Sequence, residues 1–167
     1  GMGMTAIDAA TQAKRLGAKQ VTMVYRRSEM EKPCTSVELD IAKLDGCEII
    51  WLAAPKEIKG ENNKVKQLVC SKMQLGEPDA SGRRSPVDTG ETFTLDVDMV
   101  IKAAGQMPFE DLVNEIKIQN SKGKISIDNN SSTNITGVFA GGDAVNGGKE
   151  VVDAVQAGKN GARAIIE

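Results

Sequence analysis

The 167 residues are 40 % hydrophobic and 26 % charged with a formal charge of −2, a balance that suits one ordinary globular domain or one and a half small ones. So small a charge gives no field to draw nucleic acid or an anionic membrane, and no apolar run approaches the roughly 18 residues of a membrane span. The chain has no histidine and no C-x-x-C, which removes Ser-His-Asp triads, Cys-His pairs, imidazole zinc sites, redox dithiols and iron–sulfur motifs.

In chain order, Ala6, Ala9, Ala10, Ala13 and Leu16 recur at helical spacing and predict a helix over residues 4–16 that Gly17 ends. Val21-Thr-Met-Val-Tyr25 predicts a short buried strand, and Arg26 and Arg27 follow it directly. A second helix is expected over residues 35–44, ending near Gly46, and a second strand over residues 47–52. Helix and strand alternating in this way belong to a parallel sheet covered by helices. Beyond Pro55 the texture changes. Glu57-Ile58, residues 65–69 and residues 92–95 predict strands joined by polar turns such as Glu61-Asn62-Asn63. Glycine, proline, serine and charge across residues 76–90 predict a long surface loop. The region to Val97 therefore reads as an antiparallel meander inserted between parallel elements. Residues 97–103 predict another buried strand ending at Gly105, residues 125–127 a short edge strand, and residues 137–140 a strand ending in Gly141-Gly142-Asp143. A final helix is expected over residues 150–166.

Cys34, Cys47 and Cys70 are scattered and read as free thiols in or near the core. No secretory signal opens the sequence, so the cytosol is the expected setting. No metal site is expected, and redox chemistry would have to run through a bound cofactor.

Glycines and arginines carry the chemistry. Gly1-Met-Gly3-Met-Thr5-Ala6 forms a G-x-G-x-x-A. Such glycines let backbone approach a pyrophosphate, to which a helix N-terminus offers amides and positive dipole. A plain helix start fits these residues equally well. Basic residues at the end of the next strand, about 20 residues on, accept the 2′-phosphate of NADP(H), whereas an acidic residue there selects NAD(H). Arg26 and Arg27 stand at that place, and a guanidinium suits phosphate in charge and fork geometry. Two solvated arginines at a strand end are the alternative. Gly142 and Asp143 sit where an open α/β sheet binds ligands, with a helix N-terminus soon after. A tight turn whose Asp143 caps its own loop also explains them.

Three stretches together resemble a known family. Thr5-Ala-Ile-Asp-Ala-Ala10, Arg15-Leu-Gly-Ala18 and residues 21–27 are similar to the NADPH-binding domain of the glutamate synthase small subunit and of the flavin module of dihydropyrimidine dehydrogenase. Residues 100–106 and 138–159 resemble the return strand and closing flavin motif of the same family. The resemblance implies an α/β fold: a Rossmann-like NAD(P)-binding domain with an inserted meander over residues 1–97, then the C-terminal part of an FAD-binding domain over residues 98–167. It implies that Arg26 and Arg27, helped by Lys32, bind the 2′-phosphate of NADPH. Gly3, with Thr5 and Ala6 at the start of the first helix, would hold the pyrophosphate. Gly105, Gly142 and Asp143 would lie along FAD, and Val151 would offer its backbone amide to the flavin. No side chain is expected to act as acid or base, because the cofactors carry the hydride step.

The sequence departs from the family at Met4, where Asn is usual, and no counterpart of the upstream FAD fingerprint lies in these residues. The chain is therefore expected to be part of a longer enzyme that passes hydride from NADPH to FAD and onward to a glutamate synthase-like or pyrimidine-reducing partner. By itself it is expected to be inactive and to hold little FAD. A catalytically inactive nucleotide-binding remnant is the alternative, and an acceptor subunit or a second copy are the candidate partners.

Overall fold

A computed structural model of the chain describes residues 1–80 and 82–166. Ser81, inside the expected loop 76–90, and Glu167, the last residue of the expected closing portion, lie outside the described residues. The chain divides into two units, Gly1–Gly105 and Gln106–Glu167.

In the first unit, helix α1 spans Met4–Arg15 and turns Ala6, Ile7, Ala10 and Thr11 inward. That spacing is one face of a 3.6-residue repeat. Lys14 and Arg15 occupy its last turn, where cations favour the carbonyl end of the dipole. Strand β1, Thr22–Tyr25, pairs in parallel with β2, Glu48–Trp51, in the register Thr22↔Glu48 to Tyr25↔Trp51. Helix α2, Ser36–Leu44, makes the crossover between them. Its start is fixed by a reciprocal capping box: Thr35 Oγ1 accepts from the Glu38 amide at 3.2 Å, and the Thr35 amide donates to Glu38 Oε2 at 2.7 Å.

The two faces of this parallel pair are covered differently. Met23 belongs to a core with Met2, Ile7, Ala10, Leu39 and Ala42 from the helix side. Val24, the next residue, belongs to a second core with Ala53, Leu68 and Cys70 from the other side. The period-2 alternation of a strand thus places one residue against helices and its neighbour against a second sheet. That sheet is the antiparallel meander β3 (Ala53–Glu61), β4 (Lys64–Pro78) and β5 (Arg84–Asp96), in the order β3-β4-β5. The unit has three layers, helices, parallel pair and meander. Leu52 joins the last two with a left-handed φ of 53°. Its amide donates to the Arg27 carbonyl at 3.1 Å and its own carbonyl accepts from Met73 at 2.7 Å. Cys34 and Cys47 lie in the helix-side core and Cys70 in the meander core, all as free thiols. Burial raises each thiol above its ordinary 9.0.

The second unit holds helix α3 (Glu110–Glu115), a hairpin of β6 (Asn120–Ser121) and β7 (Lys124–Ile125), the short helix α4 (Asp143–Asn146) and helix α5 (Val151–Ile166). Val113, Ile118, Gly123 and Ser131 are its buried residues among those described. No helix among the described residues is long and apolar enough to cross a membrane.

Three sequence expectations need correction. Most of residues 76–90 is hairpin rather than loop: β4 and β5 pair at Leu75↔Pro86 and Pro78↔Arg84. The turn shrinks to the neighbourhood of Asp79, Gly82 and Arg83, with Gly82 donating to the Asp79 carbonyl at 2.8 Å. Proline is tolerated there because β5 is an edge strand whose outward amides need no partner. Residues 97–103 are not a strand, although Val97 and Val100 pack on the meander core and Ala103 on the helix-side core. An apolar run becomes a strand only beside a ladder partner, and none runs along it among the described residues. Residues 137–140 form only an isolated bridge, Ser132↔Phe139, for the same reason.

Candidate functional site

The first candidate region gathers at the C-terminal half of β1. The Gly1 nitrogen donates to the Val24 carbonyl at 3.1 Å. A Cβ at Gly1 would collide with the Ala103 carbonyl and come within 3.3 Å of the Ala6 Cβ. Ala6 is 6 % exposed, so this corner admits only small residues. Gly3 has the opposite surroundings: it caps α1 with φ −80° and ψ 174°, and a Cβ there would meet nothing within 4 Å. Its carbonyl accepts from the Ala6 and Ile7 amides at 2.9 and 3.1 Å. No side chain caps α1, and its first turn carries no acidic residue. The helix start, with Thr5 exposed, therefore offers backbone amides and the positive end of the dipole to open space.

The turn after β1 carries the basic residues. Arg26 is exposed and Arg27 half-buried. Neither is paired with a carboxylate among the described residues. The Arg27 Nε is buried without a hydrogen-bond partner among the described residues. Such an orphan costs about 1–3 kcal/mol until an acceptor meets it. A 3₁₀ turn, Glu29–Glu31, follows. Its two carboxylates are engaged elsewhere. Glu29 pairs with Lys43 at 3.3 Å. Glu31 Oε2 accepts from the Ser28 amide at 3.1 Å and from Ser28 Oγ at 2.5 Å. Ser28 Oγ in turn accepts from the Met30 amide at 3.2 Å. The bond from the Ser28 hydroxyl is the main reason the Glu31 carboxyl lies below the usual range. The Tyr25 hydroxyl donates to the Glu31 carbonyl at 2.8 Å, while its ring meets Trp51 edge-on with centroids 6.0 Å apart. Lys32 ends the turn half-buried, its Nζ 3.5 Å from the Glu29 carbonyl.

Gly105 closes the first unit with φ 91° and open space on its Cβ side. The remaining candidates lie in the second unit. Gly142, with φ 62° and ψ −145°, turns the chain into α4. A Cβ at Gly141 would sit 2.9 Å from the Ala157 Cβ, so the turn presses against the small-residue face of α5. Asp143 is exposed, and its Oδ1 accepts from the Lys149 amide at 3.4 Å, so it does cap its own loop. Gly142, Asp143, Val151, Ala154, Ala157 and Gly161 line a groove of 660 Å³. Val151 opens α5 with 78 % of its surface exposed.

The structure brings Gly3, Thr5 and Ala6 together on one helix start, Arg26, Arg27 and Lys32 on one turn, and Gly142, Asp143 and Val151 on one groove. Sequence reasoning missed Ser28 and Glu31, although Ser28-Glu-Met-Glu31 spells the capping-box signature. It also missed Lys124, whose Nζ donates to the Asn146 carbonyl at 3.4 Å beneath the Gly142 loop. No group of side chains among the described residues suits a metal ion. An uncapped helix start and guanidinium groups without carboxylate partners are chemistry suited to anions.

Thioredoxin reductase of Lactococcus lactis has the same fold, with a TM-score of 0.80 at 24 % identity over 99 % of this chain and 50 % of that one. FprA of Mycobacterium tuberculosis, in complex with NADPH, scores 0.68 at 20 % identity over 99 % of this chain and 51 % of that one. The beta subunit of the NADP(+)-dependent formate dehydrogenase of Moorella thermoacetica is 39 % identical over 167 residues, which are 99 % of this chain and 24 % of that protein. The small chain of the NADPH glutamate synthase of Azospirillum brasilense is 39 % identical over 172 residues, 99 % of this chain and 35 % of that protein. The chain thus spans about a quarter to a third of these relatives. The pyridine nucleotide-disulphide oxidoreductase family matches residues 1–158. The chain belongs to that family, whose members depend on FAD and NADPH.

Proposed function

We propose that this chain is the NADP(H)-binding part, with the closing portion of the FAD-binding part, of an oxidoreductase that passes hydride from NADPH to FAD. The first unit binds NADPH. Arg26 and Arg27 take the 2′-phosphate with help from Lys32, and Gly3, Thr5 and Ala6 present the α1 amides to the pyrophosphate. Gly105, Gly142, Asp143 and the Val151 amide lie along FAD. When bound, NADPH supplies a hydride and FAD accepts it, so the protein's own residues bind, orient and exclude competing acceptors. Electrons then leave to an acceptor subunit, in keeping with relatives that are themselves named as the beta subunit or small chain of larger enzymes.

The observation that carries this reading is the pair of arginines directly after β1, neither of which is paired with a carboxylate among the described residues. A guanidinium free of carboxylates keeps its charge and its fork of donors for a phosphate. Calorimetric titration of the chain with NADPH and with NADH tests the reading. NADPH is expected to bind at least about tenfold more tightly, the worth of one charge-assisted contact. Equal affinities would remove the assignment of Arg26 and Arg27.

A further inference from the structure

We infer that the Ser28–Glu31 capping box is a specificity device: it holds the turn's own carboxylate off the arginine pair and so keeps those arginines free for a 2′-phosphate. The inference rests on the function proposed above and adds to it residues that themselves touch no ligand.

The turn places acidic residues at positions 29 and 31, next to arginines at positions 26 and 27. At such spacing an exposed carboxylate and guanidinium ordinarily attract each other and would compete with a ligand anion. Here each carboxylate has another partner. Lys43, from α2, takes Glu29 at 3.3 Å. Ser28 takes Glu31 through both its amide and its hydroxyl, at 3.1 and 2.5 Å. The Tyr25 hydroxyl fixes the Glu31 backbone by its carbonyl at 2.8 Å, so the residue cannot swing as a whole. The result is a turn that carries Glu29 and Glu31 yet leaves Arg26 and Arg27 without a carboxylate partner among the described residues. Selectivity of this kind depends on what is kept away from a site as much as on what lines it. Ser28 and Glu31 are therefore positioning residues for nucleotide choice.

The test is a cycle of variants titrated with NADPH and NADH. Ser28→Ala removes the hydroxyl bond and frees a charged Glu31 to pair with an arginine. NADPH affinity is expected to fall about tenfold, one charge-assisted contact, with NADH affinity changed by less than about twofold. Adding Glu31→Gln to Ser28→Ala removes the competing charge while leaving the cap broken, and NADPH affinity is expected to return to within about threefold of the unaltered chain. Rescue separates charge from structure, because a turn that merely lost its cap stays loosened in the double variant. Equal weakening of both nucleotides by Ser28→Ala, or no rescue by Glu31→Gln, would overturn the inference while leaving the NADPH preference of the unaltered chain intact. Absence of that preference in the unaltered chain would overturn the function proposed above, and this inference with it.

Discussion

Replacing Arg26 and Arg27 together by alanine is expected to weaken NADPH binding about 100-fold while leaving NADH binding within about threefold of its original strength. The size follows from two charge-assisted contacts to one phosphate, each worth about 1.5–3 kcal/mol where solvent is partly excluded. The two contributions are unequal. Arg27 is half-buried, where solvent screens a charged contact less, and Arg26 is exposed, so the single Arg27→Ala change is expected to carry most of the loss. NADH lacks the phosphate and meets neither guanidinium by design. The fold is expected to survive, because neither arginine side chain makes an ion pair among the described residues. Titration with both nucleotides, with circular dichroism as the check on folding, decides the point. A parallel loss for NADPH and NADH would show that the arginines support the turn rather than read the phosphate.

The second large effect concerns flavin. The 167 residues purified by themselves are expected to carry little FAD and to show no appreciable NADPH oxidation, with free FAD and a dye acceptor added. The flavin-side residues of the second unit line a groove built from a glycine turn and one helix face. Gly142 and Asp143 supply few polar contacts, and one Asp143 oxygen is already taken by the Lys149 amide at 3.4 Å. Association costs roughly 4–15 kcal/mol in lost translational and rotational freedom, which so few contacts do not offset. Relatives of known activity are about three to four times longer than the matched region, since it forms 24 % and 35 % of them. A visible spectrum of the purified chain reads the flavin content directly. Stoichiometric bound flavin, or sustained turnover, would show that the groove is sufficient by itself.

The α1–β1–α2–β2 succession is legible in the sequence because alanines at helical spacing, a β-branched run, and Gly17 and Gly46 all agree locally. The β4–β5 hairpin is not. Gly76, Pro78, Pro86 and Gly90 read as breakers, but pairing between strands is decided by the neighbouring backbone, which no local signal reports. Residues 97–103 fail in the opposite sense: their apolar run promises a strand, and no ladder partner runs beside it among the described residues. At the candidate site, Arg26 and Arg27 are visible by position. The unmet Arg27 Nε is invisible until folding buries it. The role of Glu31 lies between these cases, since the S-x-x-E spacing is plain but its consequence for the arginines needs the geometry of the turn.

The central claim is that the first unit reads a phosphorylated adenosine through the α1 start and the Arg26–Arg27 turn. Titrating the ¹⁵N-labelled chain with adenosine 2′,5′-bisphosphate, which carries the phosphate without the nicotinamide, tests it most directly. Saturable shifts are expected at the amides of residues 3–6 and 25–32, and the Arg26 and Arg27 side-chain signals should move with them. Shifts that do not saturate, or that fall only on residues 106–166, would contradict the account.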